Sequence, residues 1–514
     1  MTEEANQPDH AHHTARVAGG AGYAFLGRLG ALIEVGSVIA FTWVYGSATF
    51  GLFAVLWSYV RVATTVTDLG MGMSLQRFIP RAGEAEASRI TGTALKSSFL
   101  ASCLIALVTT LLAPMIAPHL NAAKADEAHL ISVIRLYVWV LPFWTFVEVA
   151  TAAIRARRTF GPEIKVRIFY EQGLRLIVAV SLGLLGARTY GLFAAHLVSV
   201  ILAALLALRL IARYYDLSAV LKAPITGATT KELRTTGLSL MPATITKKLF
   251  SEFPVMVLNF MLPGAAGAAA GGYYAVARKV ASALQVVRTT FEYVMAPLAA
   301  ERAGEGDHKA LSAMYAYATR LSLTFALPFG AALVLARHDI LATMRPEFQA
   351  AAAAIAILCL GRVIEAATGP SSAIIETLGH RLLAALNGLA GIVALLIVSA
   401  LMIPAHGVTG AAIAAAVGLN VTALLSLIEA AALFRLWPYD RGTLRPLALS
   451  ALLSAGMIAL IPASNHWPAP YGLIAALLGL MLTLGLVVRH GLTDTDATAL
   501  GKLGRLIRPQ PSGD

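Results

Sequence analysis

The sequence predicts an all-α polytopic membrane protein with about fourteen transmembrane helices, and three observations lead to this prediction. The chain has 514 residues, of which 58% are hydrophobic and 13% charged, and its mean hydropathy of +0.72 exceeds that of soluble domains. The apolar residues form windows of about 20, the length that crosses a hydrocarbon core. Short polar segments separate these windows, and basic residues concentrate in every second segment.

The predicted spans follow one another along the chain with short connections. In order they cover residues 22–45, 50–75, 92–115, 130–154, 166–186, 191–212, 238–262, 270–298, 311–336, 351–378, 381–403, 409–434, 447–461 and 471–488.

The net charge of +12 is explained by where the basic residues fall. Cytoplasmic connections of membrane proteins carry an excess of Lys and Arg, so the richer set of connections predicts the cytoplasmic side. Both termini are then cytoplasmic, and the basicity indicates topology rather than nucleic-acid binding. The opposite connections hold little beyond Lys124, Arg188, Arg337 and Arg345. The basic set comprises Arg77, Arg81, Arg89, Arg155, Arg157, Arg158, Lys165, Arg213, Lys222, Lys231, Arg234, Arg302, Lys309, Arg381, Arg435, Arg441, Arg445, Lys502, Arg505 and Arg508.

Two sequence echoes indicate that the chain consists of two related halves. "GLFAV" from Gly51 resembles "GYYAV" from Gly272, and "RAGE" from Arg81 returns from Arg302 at the same offset. Internal repeats in membrane proteins commonly create a transport site between the halves, so we expect two pseudo-symmetric lobes around a central cavity. Cys103 and Cys359 both fall within predicted spans, which favours packed thiols over a disulfide framework.

The domain organisation follows from these spans, and we expect no cleavable signal peptide. Leu500, Leu503 and Leu506 alternate with basic residues near the C-terminus, which fits a helix on the inner leaflet as well as a frayed basic tail. We predict a disordered cytoplasmic N-terminus (1–20), an N-terminal lobe with helices 1–6 (21–212), a basic cytoplasmic linker (213–236), a C-terminal lobe with helices 7–12 (237–435), helices 13 and 14 (436–490), and a cytoplasmic tail with a possible interfacial helix (491–514).

Charged residues inside the spans are the candidates for function, because a charge in a bilayer costs several kcal/mol unless it meets water or a partner. Arg28, Arg61 and Arg278 have no acid three or four residues away. A water-filled, ligand-binding cavity is favoured over an ion pair between helices for these three. Guanidinium groups bind phosphate through paired hydrogen bonds, so such a cavity suits an anionic headgroup.

Lys248 and Arg288 are further candidates for substrate binding. The alternative is that they neutralise Glu252 and Glu292, each four residues along the same helix, as Arg175 would neutralise Glu171.

The run "YGSATFGLFAVLWSYVRVATTVTDLGMGMSLQRFIPR" resembles the first-to-second helix signature of bacterial polysaccharide flippases in the multidrug/oligosaccharidyl-lipid/polysaccharide exporter superfamily. "YYAVARKVAS" from Tyr273 is similar to that family's eighth helix, and "IPAHGVTGAAIAAA" from Ile403 to the turn before its twelfth. The resemblance covers residues 19–490. It implies two lobes around a central cavity that opens alternately to either side of the bacterial inner membrane. It also implies that the cargo is an undecaprenyl-diphosphate-linked oligosaccharide for surface polysaccharides such as lipopolysaccharide or capsule.

Related flippases line this cavity with basic residues from the first, second and eighth helices, where Arg28, Arg61 and Arg278 lie. The expected partners are the lipid-linked oligosaccharide, membrane lipids, and a polysaccharide polymerase with its export machinery. No cofactor is expected, and no nucleotide-binding motif appears. Glu34 or Asp68 could carry a coupling proton or sodium ion. Equally, both could be counter-charges for arginines, and the Asp68-Leu69-Gly70 triplet could only shape a helix end.

Several rival functions stay open at the level of sequence. A multidrug/cation antiporter or a lipid II flippase would belong to the same superfamily, although the arginines inside the spans argue against a cavity for cationic drugs. A membrane glycan polymerase or ligase would be an enzyme, but the connections on the outer side are too short for a catalytic domain. We therefore expect a transporter rather than an enzyme. A passive scaffold in a glycan-export complex is the remaining alternative.

Overall fold

The computed structural model of the chain describes residues 7–159, 161–285, 308–378 and 381–492, and most of these residues are helical, with no strand among them. Nine helices in this part are long and apolar enough to cross a membrane, and one of them, Leu382–Phe434, contains 53 residues. The prediction of an all-α polytopic membrane protein is confirmed. Cys103 and Cys359 are free thiols, as expected.

The chain forms two compact units, which we call unit 1 and unit 2. Unit 1 consists of Met1–Lys248 and Pro263–Ala269. Its helices, including α11, which continues past Lys248 into unit 2, are α1 Gln7–Thr67, α2 Met71–Phe78, α3 Glu84–Ile116, α4 Lys124–Glu127, α5 Leu130–Tyr137, α6 Val140–Ala156, α7 Gly161–Ile164, α8 Glu171–Leu184, α9 Gly191–Tyr214, α10 Leu217–Lys222 and α11 Ala228–Met261, with a π-helical segment Lys165–Tyr170 before α8.

Unit 2 consists of Leu249–Leu262 and Ala270–Asp514. Besides the end of α11, its helices are α12 Gly264–Ser282, whose first turns belong to unit 1, α13 His308–Leu335, α14 Arg337–Ala342, α15 Ala352–Ala367, α16 Ser371–Thr377, α17 Arg381–Phe434, α18 Leu444–Ala459, α19 Ile461–Ser464 and α20 Tyr471–Leu486.

Two long helices are broken at glycines where the sequence predicts a connection between spans. Gly46 interrupts α1 with φ of 82°, and Gly407 interrupts α17 with φ of 50°. Glycine adopts such positive φ values without the steric cost that a side chain would bring. Each break therefore divides one continuous helix into two rods, in agreement with the predicted gaps 46–49 and 404–408.

The core of unit 1 lies between α2, α3, α6 and α9. Val147 and Ile154 of α6 and Ala207 of α9 are fully buried in one apolar cluster. Small residues allow close approach at this level, since a side chain on Gly92 of α3 would collide with the backbone at Val220.

The segment predicted as a linker contains α10 and the first residues of α11, and it is docked onto α3. The Lys96 ammonium donates hydrogen bonds to the carbonyls of Leu221 and Ala223, at 2.6 and 2.8 Å. Thr93 donates to the carbonyl of Pro224 at 2.8 Å. These bonds satisfy carbonyls at the end of α10, so this segment packs as part of unit 1.

The predicted lobe boundaries stay predictions. The predicted interfacial helix at 491–514 lies almost entirely outside the described residues, of which only 491 and 492 belong to it.

Candidate functional site

The second rod of α1 carries an arginine over an aromatic ring, which is the starting point of the candidate site. The Arg61 guanidinium carbon lies 6.0 Å from the centre of the Trp57 ring, one helical turn earlier. Both side chains are partly exposed. A guanidinium over an indole face is attracted to the ring and loses rotational freedom, so Trp57 restricts the orientation of Arg61.

Trp57 is itself held between two other rings. Its ring centre lies 5.1 Å from that of Trp144 on α6 and 4.6 Å from that of His196 on α9, and both contacts are close to perpendicular. Arg167 in the π-helical segment lies over Trp144, with its guanidinium carbon 5.1 Å from the ring centre. Two arginines therefore lie against a pair of tryptophans within unit 1.

Below Trp57 is a cluster of buried polar side chains. His196 is completely buried, and Glu171 on α8 is 1% exposed. The Glu171 carboxylate lies 3.3 Å from Arg175 and 3.5 Å from His196. The other nitrogen of His196 lies 2.9 Å from the Tyr137 hydroxyl on α5. The pair between Glu171 and Arg175 within one helix is thus formed, and it extends to two further helices.

An ion-pair network continues from this cluster along α6. Arg167 pairs with Glu148 at 3.0 Å and with Glu163 at 3.2 Å, and Glu163 also pairs with Arg155 at 2.6 Å. Two cations and two carboxylates balance each other here, with side-chain exposures of 20 to 31%. Arg167 is therefore neutralised locally.

Asp68 shapes the turn between α1 and α2. Its carboxylate accepts a hydrogen bond from the Gly72 backbone N–H at 3.0 Å, at the start of α2. Leu69 and Gly70 both have positive φ, and a side chain on Gly70 would collide with the backbone of Gly237 on α11. These contacts favour the interpretation that the Asp68-Leu69-Gly70 triplet forms a helix end and a close helix crossing.

In unit 2, Arg278 on α12 already has an acidic partner. Its guanidinium lies 3.2 Å from the carboxylate of Glu252 on α11, which is fully buried, and donates hydrogen bonds to the carbonyl and hydroxyl of Ser251. The alternative of an ion pair between helices is therefore realised at Arg278. Glu252 also contacts other groups.

Of the remaining predicted site residues, Lys248 and Glu34 are described, whereas the Arg28 side chain and Arg288 are not. Lys248, the last residue of unit 1, is partly exposed on α11, and Glu34 is partly exposed on the first rod of α1. Arg28 belongs to α1, but its side chain lies outside the described residues, and so does Arg288 in its entirety.

The sequence reasoning missed Trp57, Trp144 and His196. The available signals were a tryptophan four residues before Arg61 and a lone histidine in the apolar run "GLFAAHLVSV" of α9. Each is common in membrane helices, so neither pattern alone distinguishes a site from packing.

The "RAGE" motif of unit 1 has a structural role outside the spans. Arg157, after α6, pairs with Glu84 of the motif at 2.6 Å and lies 4.2 Å from the centre of the Tyr215 ring. Burial lowers the pKa of Arg157, but hydrogen bonds to Glu84 and Tyr215 raise it by more, so its pKa lies above its ordinary value. Glu84 and Arg157 also line a cavity of about 430 Å³.

Comparisons with known proteins agree with this architecture. A sequence model of the polysaccharide biosynthesis protein family matches residues 46–345, which is more than half of the chain. No curated protein matches the chain by sequence.

Solved structures share the fold at low sequence identity. A structure of the lipid II flippase MurJ in an inward closed conformation has a TM-score of 0.69 at 11% identity, over 90% of this chain and 97% of its own. An inward-facing multidrug resistance MATE transporter of the MOP superfamily has a TM-score of 0.61 at 14% identity, over 80% of this chain and 94% of its own. A mutant of the Vibrio cholerae MATE transporter VcmN has a TM-score of 0.55 at 17% identity, over 81% of this chain and 98% of its own.

The fold of these transporters, the apolar helices and the family match together confirm the resemblance seen in the sequence. The chain therefore belongs to the polysaccharide biosynthesis protein family, and it shares the fold of flippases and transporters of the multidrug/oligosaccharidyl-lipid/polysaccharide exporter superfamily.

Proposed function

We propose that the protein moves an undecaprenyl-diphosphate-linked oligosaccharide across the bacterial inner membrane by alternating access, for the synthesis of a surface polysaccharide. The observation that carries this proposal is Arg61, a partly exposed guanidinium held against Trp57 within the region that the family model matches. Both termini would lie in the cytoplasm, as the distribution of basic residues predicts.

Arg61 suits a diphosphate for two reasons. A guanidinium is always charged and presents parallel N–H donors that match two phosphate oxygens. Stacking on Trp57 orders this side chain before the substrate arrives, which lowers the entropic cost of binding. We expect Arg28, Lys248 and Arg288 to contribute further positive charge to the same substrate, and Arg278 to contribute less because Glu252 neutralises it.

A lipid II flippase is the second candidate, and the fold similarity to MurJ supports it. A cargo whose carrier is a polyprenyl diphosphate would meet the same arginine, so the two candidates differ in the glycan. A multidrug antiporter is supported by the MATE-like fold, but Arg61 would repel a cationic drug.

We further propose that the protein is not an enzyme, that a proton or sodium gradient drives transport, and that a polymerase receives the product.

The test is leaflet-resolved transport of a lipid-diphosphate oligosaccharide in proteoliposomes. We expect Arg61→Ala to lower the rate by roughly tenfold or more, since a hydrogen bond to a charged group contributes about 1.5–3 kcal/mol. Arg188→Ala is the matched control, because Arg188 is exposed on the turn between α8 and α9. Full transport by Arg61→Ala would make Arg61 structural. If the unaltered protein transports lipid II but not the lipid-diphosphate oligosaccharide, the lipid II flippase is favoured.

A further inference from the structure

One nitrogen of the buried His196 faces a donor and an acceptor at the same time. Its Nε2 lies 3.3 Å from the guanidinium of Arg175 and 3.5 Å from the carboxylate of Glu171. A guanidinium can only donate hydrogen bonds, and a carboxylate can only accept them. A neutral imidazole therefore satisfies one of these two neighbours and not the other, whichever nitrogen carries its hydrogen.

The other nitrogen has a partner that adapts to either state. Nδ1 lies 2.9 Å from the Tyr137 hydroxyl, which can donate or accept. If His196 is protonated on both nitrogens, Nδ1 donates to Tyr137 and Nε2 donates to Glu171. That state also places the Nε2–H against the guanidinium of Arg175, which already pairs with Glu171. The protonated cluster therefore carries a net positive charge, which a nearby anion would stabilise.

The charges around His196 come from each element packed around it. Glu171 lies close enough to Glu34 and Arg167 for their charges to act on it, and Tyr137 is within reach of the charge of Arg61. The titratable and charged groups are Glu34 and Arg61 on α1, Tyr137 on α5, Glu148 on α6, Arg167 in the π-helical segment, and Glu171 and Arg175 on α8. Arg175 has a buried Nε without a hydrogen-bond partner within the described part of the chain.

Trp57 connects this cluster to the candidate substrate site. Its ring contacts the imidazole of His196 and lies under the guanidinium of Arg61. A positive charge on His196 would therefore add to that of Arg61 across a single indole ring, in surroundings where charges are weakly screened. An anion bound at Arg61 would in turn stabilise the protonated imidazole, because linkage between two binding events is reciprocal.

We propose that His196 takes up a proton when an anionic diphosphate binds at Arg61, so that substrate binding and proton uptake are linked. The inference rests on the proposed function for the identity of the substrate. The step transfers a proton from hydronium in solution to the ring nitrogen of His196 that lacks one. An O–H bond breaks, an N–H bond forms, and water is left.

The experiment measures the Kd of the full chain for a lipid-diphosphate oligosaccharide from about pH 5.5 to about 8.5, the range in which an imidazole ordinarily titrates. A diphosphate diester is fully ionised there, so the ligand adds no titration of its own. We expect tighter binding as the pH falls, by up to about tenfold per pH unit for one linked proton. We expect His196→Gln to bind without this dependence, and His466→Gln, an exposed control, to retain it.

Binding by the unaltered protein that does not change with pH would overturn the inference, and so would a pH dependence that persists in His196→Gln. If His196→Gln does not fold, Tyr137→Phe replaces it, because this variant keeps an aromatic ring at position 137 and the imidazole of His196. In Tyr137→Phe, a shift in the pH at which the Kd changes supports the inference, and an unchanged pH contradicts it.

A second readout separates this inference from the proposed function, because it needs no substrate. An imidazolium quenches a neighbouring indole, so the fluorescence difference between the unaltered protein and Trp57→Phe should fall as the pH falls. Without a bound anion we expect this fall at a lower pH than the change in binding, because burial and Arg175 oppose the charge. Absence of diphosphate binding at every pH would overturn the proposed substrate. A pH-independent Trp57 signal would overturn the proton site.

Discussion

Arg61 in unit 1 and Arg278 in unit 2 lie on corresponding helices of the two predicted repeats, yet the two arginines have different surroundings. Arg61 lies over a tryptophan and is partly exposed, whereas Arg278 lies against a fully buried carboxylate on a neighbouring helix. A buried carboxylate needs a counter-charge, so Glu252 uses Arg278 for stability. An aromatic ring attracts a guanidinium through its π face and restricts its orientation. The comparison teaches that two arginines inside the spans can be positioned by different partners, a ring at Arg61 and a buried carboxylate at Arg278.

The largest expected effect is on stability in unit 2. Arg278→Ala leaves the Glu252 carboxylate buried without this cation, and we expect a loss of about 3–5 kcal/mol of unfolding free energy. Thermal unfolding of the purified protein in detergent measures the change. The double variant Arg278→Met with Glu252→Gln should recover part of the loss, because it removes both charges. A single variant as stable as the unaltered protein would show that Glu252 is satisfied by its other contacts.

Lysine substitution distinguishes the two arginines by function. Arg61→Lys keeps the charge but loses the planar fork and its stacking on Trp57, so we expect roughly tenfold weaker binding of the lipid diphosphate, equivalent to about 1.4 kcal/mol. Arg278→Lys keeps a cation that can reach Glu252. Binding should therefore change less than in Arg61→Lys, and stability less than in Arg278→Ala. Equal losses of affinity in the two variants would contradict the difference between the units.

A smaller effect is expected at Asp68, which the sequence suggests as a coupling residue. In Asp68→Asn the side-chain oxygen can still accept the hydrogen bond from Gly72, so we expect a stability change under about 1 kcal/mol and unchanged transport. Transport driven by an imposed proton gradient is the measurement. Asp68→Ala, which removes the acceptor, is the matched variant. Loss of gradient-driven transport in Asp68→Asn would return Asp68 to a coupling role.

The smallest effect concerns Asp440, an aspartate of unit 2 that lies outside the spans. Arg320 donates two hydrogen bonds to Asp440, at 2.9 and 3.0 Å, and Thr443 donates another at 2.7 Å. Burial raises the pKa of Asp440, but the bond from Thr443 and the charge of Arg320 lower it by more, so its pKa lies below its ordinary value.

Because the folded pKa of Asp440 is depressed, its contribution to stability is present above the unfolded pKa of about 4 and is lost as the pH falls through the folded value. Asp440→Asn should therefore flatten the acid limb of the stability curve. The effect is small because the Asp440 side chain is 44% exposed. An acid limb unchanged by the substitution would show that other carboxylates account for it.

The sequence was sufficient to place Arg61 inside an apolar helix, because hydropathy is read along the chain and does not depend on what surrounds the helix. It also located the breaks at Gly46 and Gly407. It could not identify Glu252 as the partner of Arg278, because helical periodicity relates neighbours within a helix, and these two residues lie on different helices. The sequence did not identify the cluster around His196 for the same reason, since its neighbours lie on three other helices. They are Glu171, Tyr137 and Trp57.

The sequence by itself therefore determined the membrane class, the positions of many spans and the family, because hydropathy, charge distribution and short motifs are local properties of the chain. The tertiary structure alone decided that Arg278 pairs with Glu252, that Asp68 forms a turn, and that His196 joins a buried cluster. Those outcomes depend on side chains that packing brings within about 3–4 Å, the distance at which hydrogen bonds and ion pairs act.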